Sequence, residues 1–186
     1  MSEAVNKLLD QVARARLLSD TEKLAIYDEL AHFLHPLIDD PDASALAVLT
    51  NFVSVLHNAF PTFFWTGFYR RVADQLLEVG PNQGTLGCLT IAYGRGVCGT
   101  VAQSGQTKIV DDVHAEPNHI GCDDKSRSEI VLPLFIGGQL AGVLDVDSAL
   151  PSAFSAVDQE RLEVLLTRLG KALESKDLGG VFALES

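Results

Sequence analysis

The sequence predicts an α+β fold, a mainly antiparallel sheet with helices at both of its ends. Three observations carry this. Apolar residues recur at helical spacing before Pro61 and again after Ser155. Between those segments lie short runs rich in aromatic and β-branched residues. Turn signals, Asp74-Gln75 and Gly137-Gly138, separate neighbouring runs and mark hairpins.

The elements follow in order. Residues 3–18 space Val5, Leu8, Leu9 and Val12 as one helical face. Ser19-Asp20-Thr21-Glu22 has the form of a capping box and opens a second helix carrying Leu24, Tyr27, Leu30 and Leu34, which Pro36 is expected to end. Asp40-Pro41 is expected to begin a third, with Leu46, Leu49, Phe52, Val53 and Leu56, stopped by Pro61. Strands are expected over Phe63–Arg71, Leu76–Val79, Leu86–Tyr93 and Lys108–Val110, with a short helix near Thr100–Ser104. Val113–Ser128 is a long polar loop, a length that points to function. Ile130–Ile136 and Leu140–Val146 form a hairpin, and Ser155 caps a last helix with Val157, Leu162, Leu165, Leu166, Leu169 and Leu173.

Composition narrows the function. The 186 residues carry 14 basic and 25 acidic side chains, a net charge of -11. That balance repels nucleic-acid backbones and anionic membranes. Mean hydropathy of +0.17 with 47% hydrophobic residues excludes intrinsic disorder. Met1-Ser2-Glu3 lacks the order of a signal peptide, and the apolar stretch at Ile130–Ile136 is too short to span a bilayer, so a soluble cytoplasmic protein is expected. Three cysteines, an odd count, speak against a structural disulfide framework.

Gly94-Arg95-Gly96-Val97-Cys98-Gly99 satisfies the dinucleotide pattern but fails its geometry. Eleven residues separate Gly99 from Asp111, and Ser104-Gly105 interrupts the helix that a dinucleotide unit needs. A tight turn into a short helix explains these glycines. Cys98 then stands at the start of that helix, where the backbone dipole favours a thiolate. Cys122, in the loop His119-Ile120-Gly121-Cys122-Asp123-Asp124-Lys125, is the best candidate for a reactive thiol. Lys125 and Arg127 would lower its pKa, while Asp123 and Asp124 would raise it. For Cys88 and Cys98 the plain alternative is burial as small hydrophobes. Zinc held by these thiols with His114 and His119 is disfavoured, because the cysteines are ten and twenty-four positions apart and no paired C-x-x-C occurs.

Asp145 and Asp147 lie two apart on a strand and share a face, which is either a solvated strand end or half of an acidic site. Glu129 begins the partner strand. With a two-residue turn at Gly137-Gly138 it would oppose Val146, on the wrong face. Only a loop one residue longer, or a bulge, brings it opposite Asp147.

The ordered stretches Gly94–Thr100, Val110-Asp111-Asp112-Val113-His114, Asn118–Asp123, Ser128–Leu134 and Gly142–Ser148, with Trp65-Thr66-Gly67-Phe68-Tyr69, resemble free methionine-(R)-sulfoxide reductases. The resemblance spans about residues 45–170 and implies a GAF-like fold, with a catalytic domain over 41–176, an N-terminal helical extension over 1–40 and a tail over 177–186. It makes Cys122 the nucleophile, Cys88 the resolving thiol and Cys98 an alternative disulfide partner. Trp65 and Tyr69 match pocket aromatics, and Glu129, Asp145 and Asp147 match substrate-binding acids, of which Asp147 or Glu129 is favoured as proton donor. Thiol chemistry of this kind requires no cofactor and no metal. The expected partners are free methionine-(R)-sulfoxide, thioredoxin as reductant and, as an assembly the sequence allows, a second copy in a homodimer. Two other readings stand beside this one: a non-catalytic GAF-type small-molecule sensor, and a redox-sensing interaction protein.

Overall fold

The structure is a computed structural model that describes residues 16–118, 120 and 125–184. The expected helix over 3–18 falls outside the described residues except for 16–18, which have no regular structure. The described elements are α1 (Asp20–Ile38), α2 (Ala45–Ala59), β1 (Phe63–Ala73), β2 (Leu76–Gln83), β3 (Thr90–Ala92), α3 (Gly96–Ser104), β4 (Lys108–Val110), a 3-10 turn (Val113–Ala115), β5 (Ser128–Ile136), β6 (Gln139–Ser148) and α4 (Ala156–Leu173). The six strands form one antiparallel sheet in the order β3-β2-β1-β6-β5-β4. The α+β expectation holds.

Local chemistry sets the helix ends. Ser19 and Glu22 make the capping box that starts α1. Pro36 does not end it. The helix runs two residues further, to Ile38, because Leu34 and Ile38 are fully buried and hold the last turn in place. Nor does α2 begin at Asp40-Pro41. The Asp40 carboxylate instead accepts the Asp42 amide at 2.9 Å, an Asx-type turn, and Ser44 caps the helix three residues later. The expected strand Leu86–Tyr93 shrinks to β3, and α3 starts four residues early, at Gly96. Gly94 and Gly96 both take positive φ, 75° and 63°, which turns the chain tightly into the helix, as expected of these glycines.

The sheet separates two cores. On one face α1, α2 and α4 bury Leu34, Phe52, Leu162 and Leu169 against Phe68, Ile130, Leu132 and Leu144. On the other, α3 lays Val97, Cys98 and Val101 over Trp65, Tyr69, Val131 and Val143. Strand alternation assigns each residue its side. A bulge at Phe64 shifts the β1–β6 register between Phe63 and Trp65, so Phe63 enters the first core while Phe64 and Trp65 both enter the second.

One polar contact fastens α1 to α4 inside the first core. Lys23 Nζ meets Asp158 Oδ2 at 2.5 Å and donates to the Ala153 carbonyl at 2.8 Å, while Tyr27 donates to Asp158 Oδ1 at 3.0 Å. Both charges are buried, so the pair holds only while each has its partner. Lys23→Ala should therefore destabilise the fold by about 3–5 kcal/mol in urea unfolding, with Lys23→Met/Asp158→Leu losing clearly less. A single substitution with a wild-type midpoint would show that the pair does not hold α1 to α4.

Candidate functional site

The second core opens into a cavity above β1, β6 and β5. Its walls are Trp65 and Tyr69 from β1, Asp145 and Asp147 from β6, Glu129 from β5, and Val97 and Cys98 from α3. Register explains the convergence. Trp65 pairs with Asp147, Gly67 with Asp145, and Tyr69 with Val143, so the odd-numbered residues of β1 and β6 share this face.

Glu129 joins them through a bulge. The turn at Gly137-Gly138 is the two-residue kind, with Ile136 opposite Gln139, which by itself would put Glu129 across from Val146. Between Leu134 and Phe135 the register slips by one, leaving Ala141 unpaired, and beyond it Glu129 faces Asp147. Asp145 is 8% exposed and Glu129 6%, so the solvated-strand-end reading of this face is wrong.

The aromatic wall is built by close packing. Trp65 and Tyr69 stack with centroids 5.5 Å apart and planes tilted by 25°. Gly87 sits over both rings; a Cβ there would come within 2.9 Å of the Tyr69 hydroxyl and 3.0 Å of the indole. The Cys88 amide hydrogen-bonds the Tyr69 phenol, so the strand-to-strand segment carrying Cys88 lies directly against the wall. Cys88 is half-buried and disulfide-bonded, whereas Cys98 is a free and buried thiol.

Electrostatics inside the cavity are dominated by burial and by like charge. Asp145 is pushed well above the usual carboxylate range, first by burial and then by Asp147 and Glu129, with the Cys98 thiol opposing this through a hydrogen bond. The Cys98 thiol is likewise pushed up, by burial first and then by the acids. The expected thiolate at the start of α3 is therefore a correction. A helix end contributes about 0.3–1 kcal/mol, too little against complete burial beside carboxylates. Tyr69 is also raised, by burial and by Asp145. Two buried polar atoms of these cavity residues, Asp145 Oδ1 and Trp65 Nε1, lack any hydrogen-bond partner among the described residues.

Of the residues named from sequence, Trp65, Tyr69, Cys98, Glu129, Asp145 and Asp147 meet in the cavity, and Cys88 adjoins its aromatic wall. Cys122 and His119 lie outside the described residues. Sequence reasoning missed Ser126, whose hydroxyl donates a short hydrogen bond to Asp147 Oδ1. It also missed Gly67, where a Cβ would press on the indole and on Asn82. A glycine inside a strand was the available signal for the latter. Among the described residues no group of His, Cys, Asp and Glu could hold a metal ion, and no helix is long and apolar enough to cross a membrane.

Sheet order, the split core and this cavity define a class, the GAF domains, and the GAF domain family matches residues 10–173. The chain belongs to that family and, within it, to the free methionine-R-sulfoxide reductases. The Escherichia coli free methionine-R-sulfoxide reductase is 41% identical over 142 residues, 76% of this chain and 86% of the relative. That of Saccharomyces cerevisiae is 37% identical over 142 residues, 73% of this chain and 79% of the relative. The X-ray structure of the Neisseria meningitidis free methionine-R-sulfoxide reductase in complex with its substrate superimposes with a TM-score of 0.77 at 41% identity, covering 87% of this chain and 96% of that one.

The raised Asp145 has a consequence for stability. A carboxyl whose folded pKa exceeds its unfolded value makes the fold most stable when protonated, and that stability is lost as pH rises through the folded pKa. Asp145→Asn removes this loss, so at pH 7 the variant should melt above wild type, each 1 kcal/mol of relief appearing as about 2–4 °C. The gap should close as pH is lowered towards about 4, the unfolded-state value. Calorimetric melting across that range would contradict the assignment if the variant were the less stable at pH 7.

Proposed function

We propose that this protein reduces free L-methionine-(R)-S-oxide to L-methionine by thiol chemistry at Cys122. The observation that carries the reading is the cavity itself, an aromatic wall facing three acids that strand register brings to one face. Membership among the free methionine-R-sulfoxide reductases points the same way.

Each part has a chemical task. The indole and phenol of Trp65 and Tyr69 pack on the substrate's methyl and methylene groups. Asp147, which accepts the Ser126 hydroxyl, and Glu129 offer negative charge to the α-ammonium that a free amino acid has and a peptide residue lacks. Asp145 is the acid. The sequence favoured Asp147 or Glu129 for that role, but Asp145 is the carboxyl that burial and its neighbours keep protonated, as a proton donor needs. The Cys122 thiolate attacks the sulfoxide sulfur while Asp145 protonates the oxygen. An S–S bond forms between Cys122 and the substrate, and the hydroxyl then passes to the cysteine sulfur as the substrate's S–O bond and the new S–S bond break, so methionine leaves reduced by two electrons and Cys122 is oxidised to a sulfenic acid. Condensation with the Cys88 thiol then expels water and forms a disulfide, which a dithiol reductant of the thioredoxin type exchanges away. The disulfide-bonded state of Cys88 and the free state of Cys98 support Cys88 as the resolving thiol.

Two measurements test this. With the R epimer and no external reductant, Cys122→Ser should release no methionine, whereas Cys88→Ser should release about one per subunit and then stall. Near-normal turnover by Cys122→Ser would end the proposal. Substrate choice is tested by kcat/KM for the free amino acid against its N-acetyl derivative. Acetylation removes the ammonium and leaves buried charge unpaired, a loss of about 2–5 kcal/mol, or about 30-fold and upward. Comparable values would mean that the acids do not read the ammonium.

A further inference from the structure

We propose that Ser126 is a positioning residue that sets the substrate preference of this site: its hydroxyl holds the Asp147 carboxylate in place to receive the α-ammonium of a free amino acid. This rests on the function proposed above and adds to it a residue outside the cysteines, the aromatics and the acids.

The bond is fixed at both ends. Ser126 is buried, at 4% exposure, although it belongs to the polar loop that precedes β5, and it lines the cavity. Its Oγ donates to Asp147 Oδ1. The next residue is anchored by its backbone: the Arg127 amide donates to the Ser148 carbonyl at 2.8 Å, and the Arg127 carbonyl accepts the Val113 amide at 2.9 Å. Ser126 and Arg127 thus hold Asp147 and Ser148, two consecutive residues at the end of β6. In the sheet Asp147 pairs with Trp65 on one side and with Glu129 on the other, so the bond fixes the acid that stands between the aromatic wall and Glu129.

Asp147 needs such a partner more than its neighbours do. Asp145 and Glu129 are buried, whereas Asp147 is half-buried and is the acid of the three most open to a ligand. The last torsion of an aspartate has broad, roughly two-fold wells, so incomplete packing does not choose the plane of the carboxylate. A hydroxyl held on an anchored backbone does choose it. The bond is also charge-assisted, strongest when the acid is ionised, which is the form that attracts an ammonium. Without it the carboxylate samples other orientations, and ordering it again costs affinity for the ammonium. The groups that act on the sulfoxide are untouched, so the loss falls on KM rather than on kcat.

The test uses the full chain with dithiothreitol as reductant, and free methionine-(R)-sulfoxide or its N-acetyl derivative as substrate. Ser126→Ala should raise KM for the free amino acid about tenfold, the worth of one hydrogen bond to a charged group, with kcat little changed. For the N-acetyl derivative, which has no ammonium, kcat/KM should stay at the wild-type value, so the preference for the free amino acid falls by the same factor. Ser126→Thr keeps the hydroxyl and should restore KM. Ser126→Val, matched in volume to threonine, replaces the alanine variant should that fail to fold. The inference is overturned if alanine leaves KM unchanged, if both substrates lose equally, which would mark a structural role, or if threonine behaves as alanine. A second readout needs no turnover. In a Cys122→Ser background, calorimetric Kd for free methionine-(R)-sulfoxide should weaken about tenfold with Ser126→Ala and recover with Ser126→Thr; a Kd that ignores Ser126 refutes the role. Binding without reduction by wild type would defeat the proposed reaction and leave these dissociation constants to decide the role of Ser126, whereas no binding at all would defeat both.

Discussion

Between β5 and β6 the ladder slips by one residue at Ala141, and the composition of the cavity depends on that slip. With an uninterrupted hairpin Glu129 would point to the helix-packed core beneath the sheet, an unpaired carboxyl beside Leu144 and Val146, at a cost of several kcal/mol. With the bulge it joins Asp145 and Asp147 on the other face. On its other side β6 sets Gly142 against the Tyr69 carbonyl, so close that a Cβ would collide with it, and this keeps β6 tight against β1 where Trp65 and Tyr69 stand. Acids and aromatics are thus placed by strand register, the slip at Ala141 bringing in Glu129 and the β1–β6 pairing, with its bulge at Phe64, bringing in Trp65 and Tyr69.

Burying three acids together is unfavourable, and the surrounding packing has to hold them. The sheet is held from beneath by the apolar core under α1, α2 and α4, and from above by α3. The Lys23–Asp158 contact ties the first helix of that support to the last. Fully buried side chains such as Phe52, Phe68 and Leu162 each contribute about 1.5–3 kcal/mol. Against such a core a raised carboxyl is tolerable. On the proposed reading, the substrate's ammonium would relieve part of the repulsion among the acids.

How much of this was legible beforehand follows from what each signal measures. Alternation placed Asp145 and Asp147 on one face, because strand period is rigid. Capping boxes at Ser19 and Ser155 located helix starts, because they depend only on neighbouring residues. The parity argument stated that Glu129 needed an odd loop or a bulge, but no local signal chose between them, since Ala141 has nothing that marks a bulge. Helix ends near proline were misjudged for a related reason. Pro36 weakens a turn locally, and only the tertiary burial of Leu34 and Ile38 overrides it. At Cys98 the sequence offered two readings, a thiolate at a helix end and burial as a small hydrophobe, and burial beside the acids makes it a thiol.

Those errors share a cause that bears on the chemistry. Each concerns a group whose behaviour depends on partners distant in sequence: Cys98 on Asp145, Asp145 on Glu129, and Glu129 on the bulge at Ala141. The cavity is a chain of such dependences. Burial first and like charge second raise the pKa of one acid, and keeping those charges buried requires both strand register and a supporting core. Ser126 donates to Asp147, whereas Asp145 lies buried beside the Cys98 thiol with its Oδ1 unpaired among the described residues, so two acids of the same type two residues apart are given different surroundings. On the proposed mechanism, these different surroundings let one carboxyl carry a proton while its neighbour receives a cation.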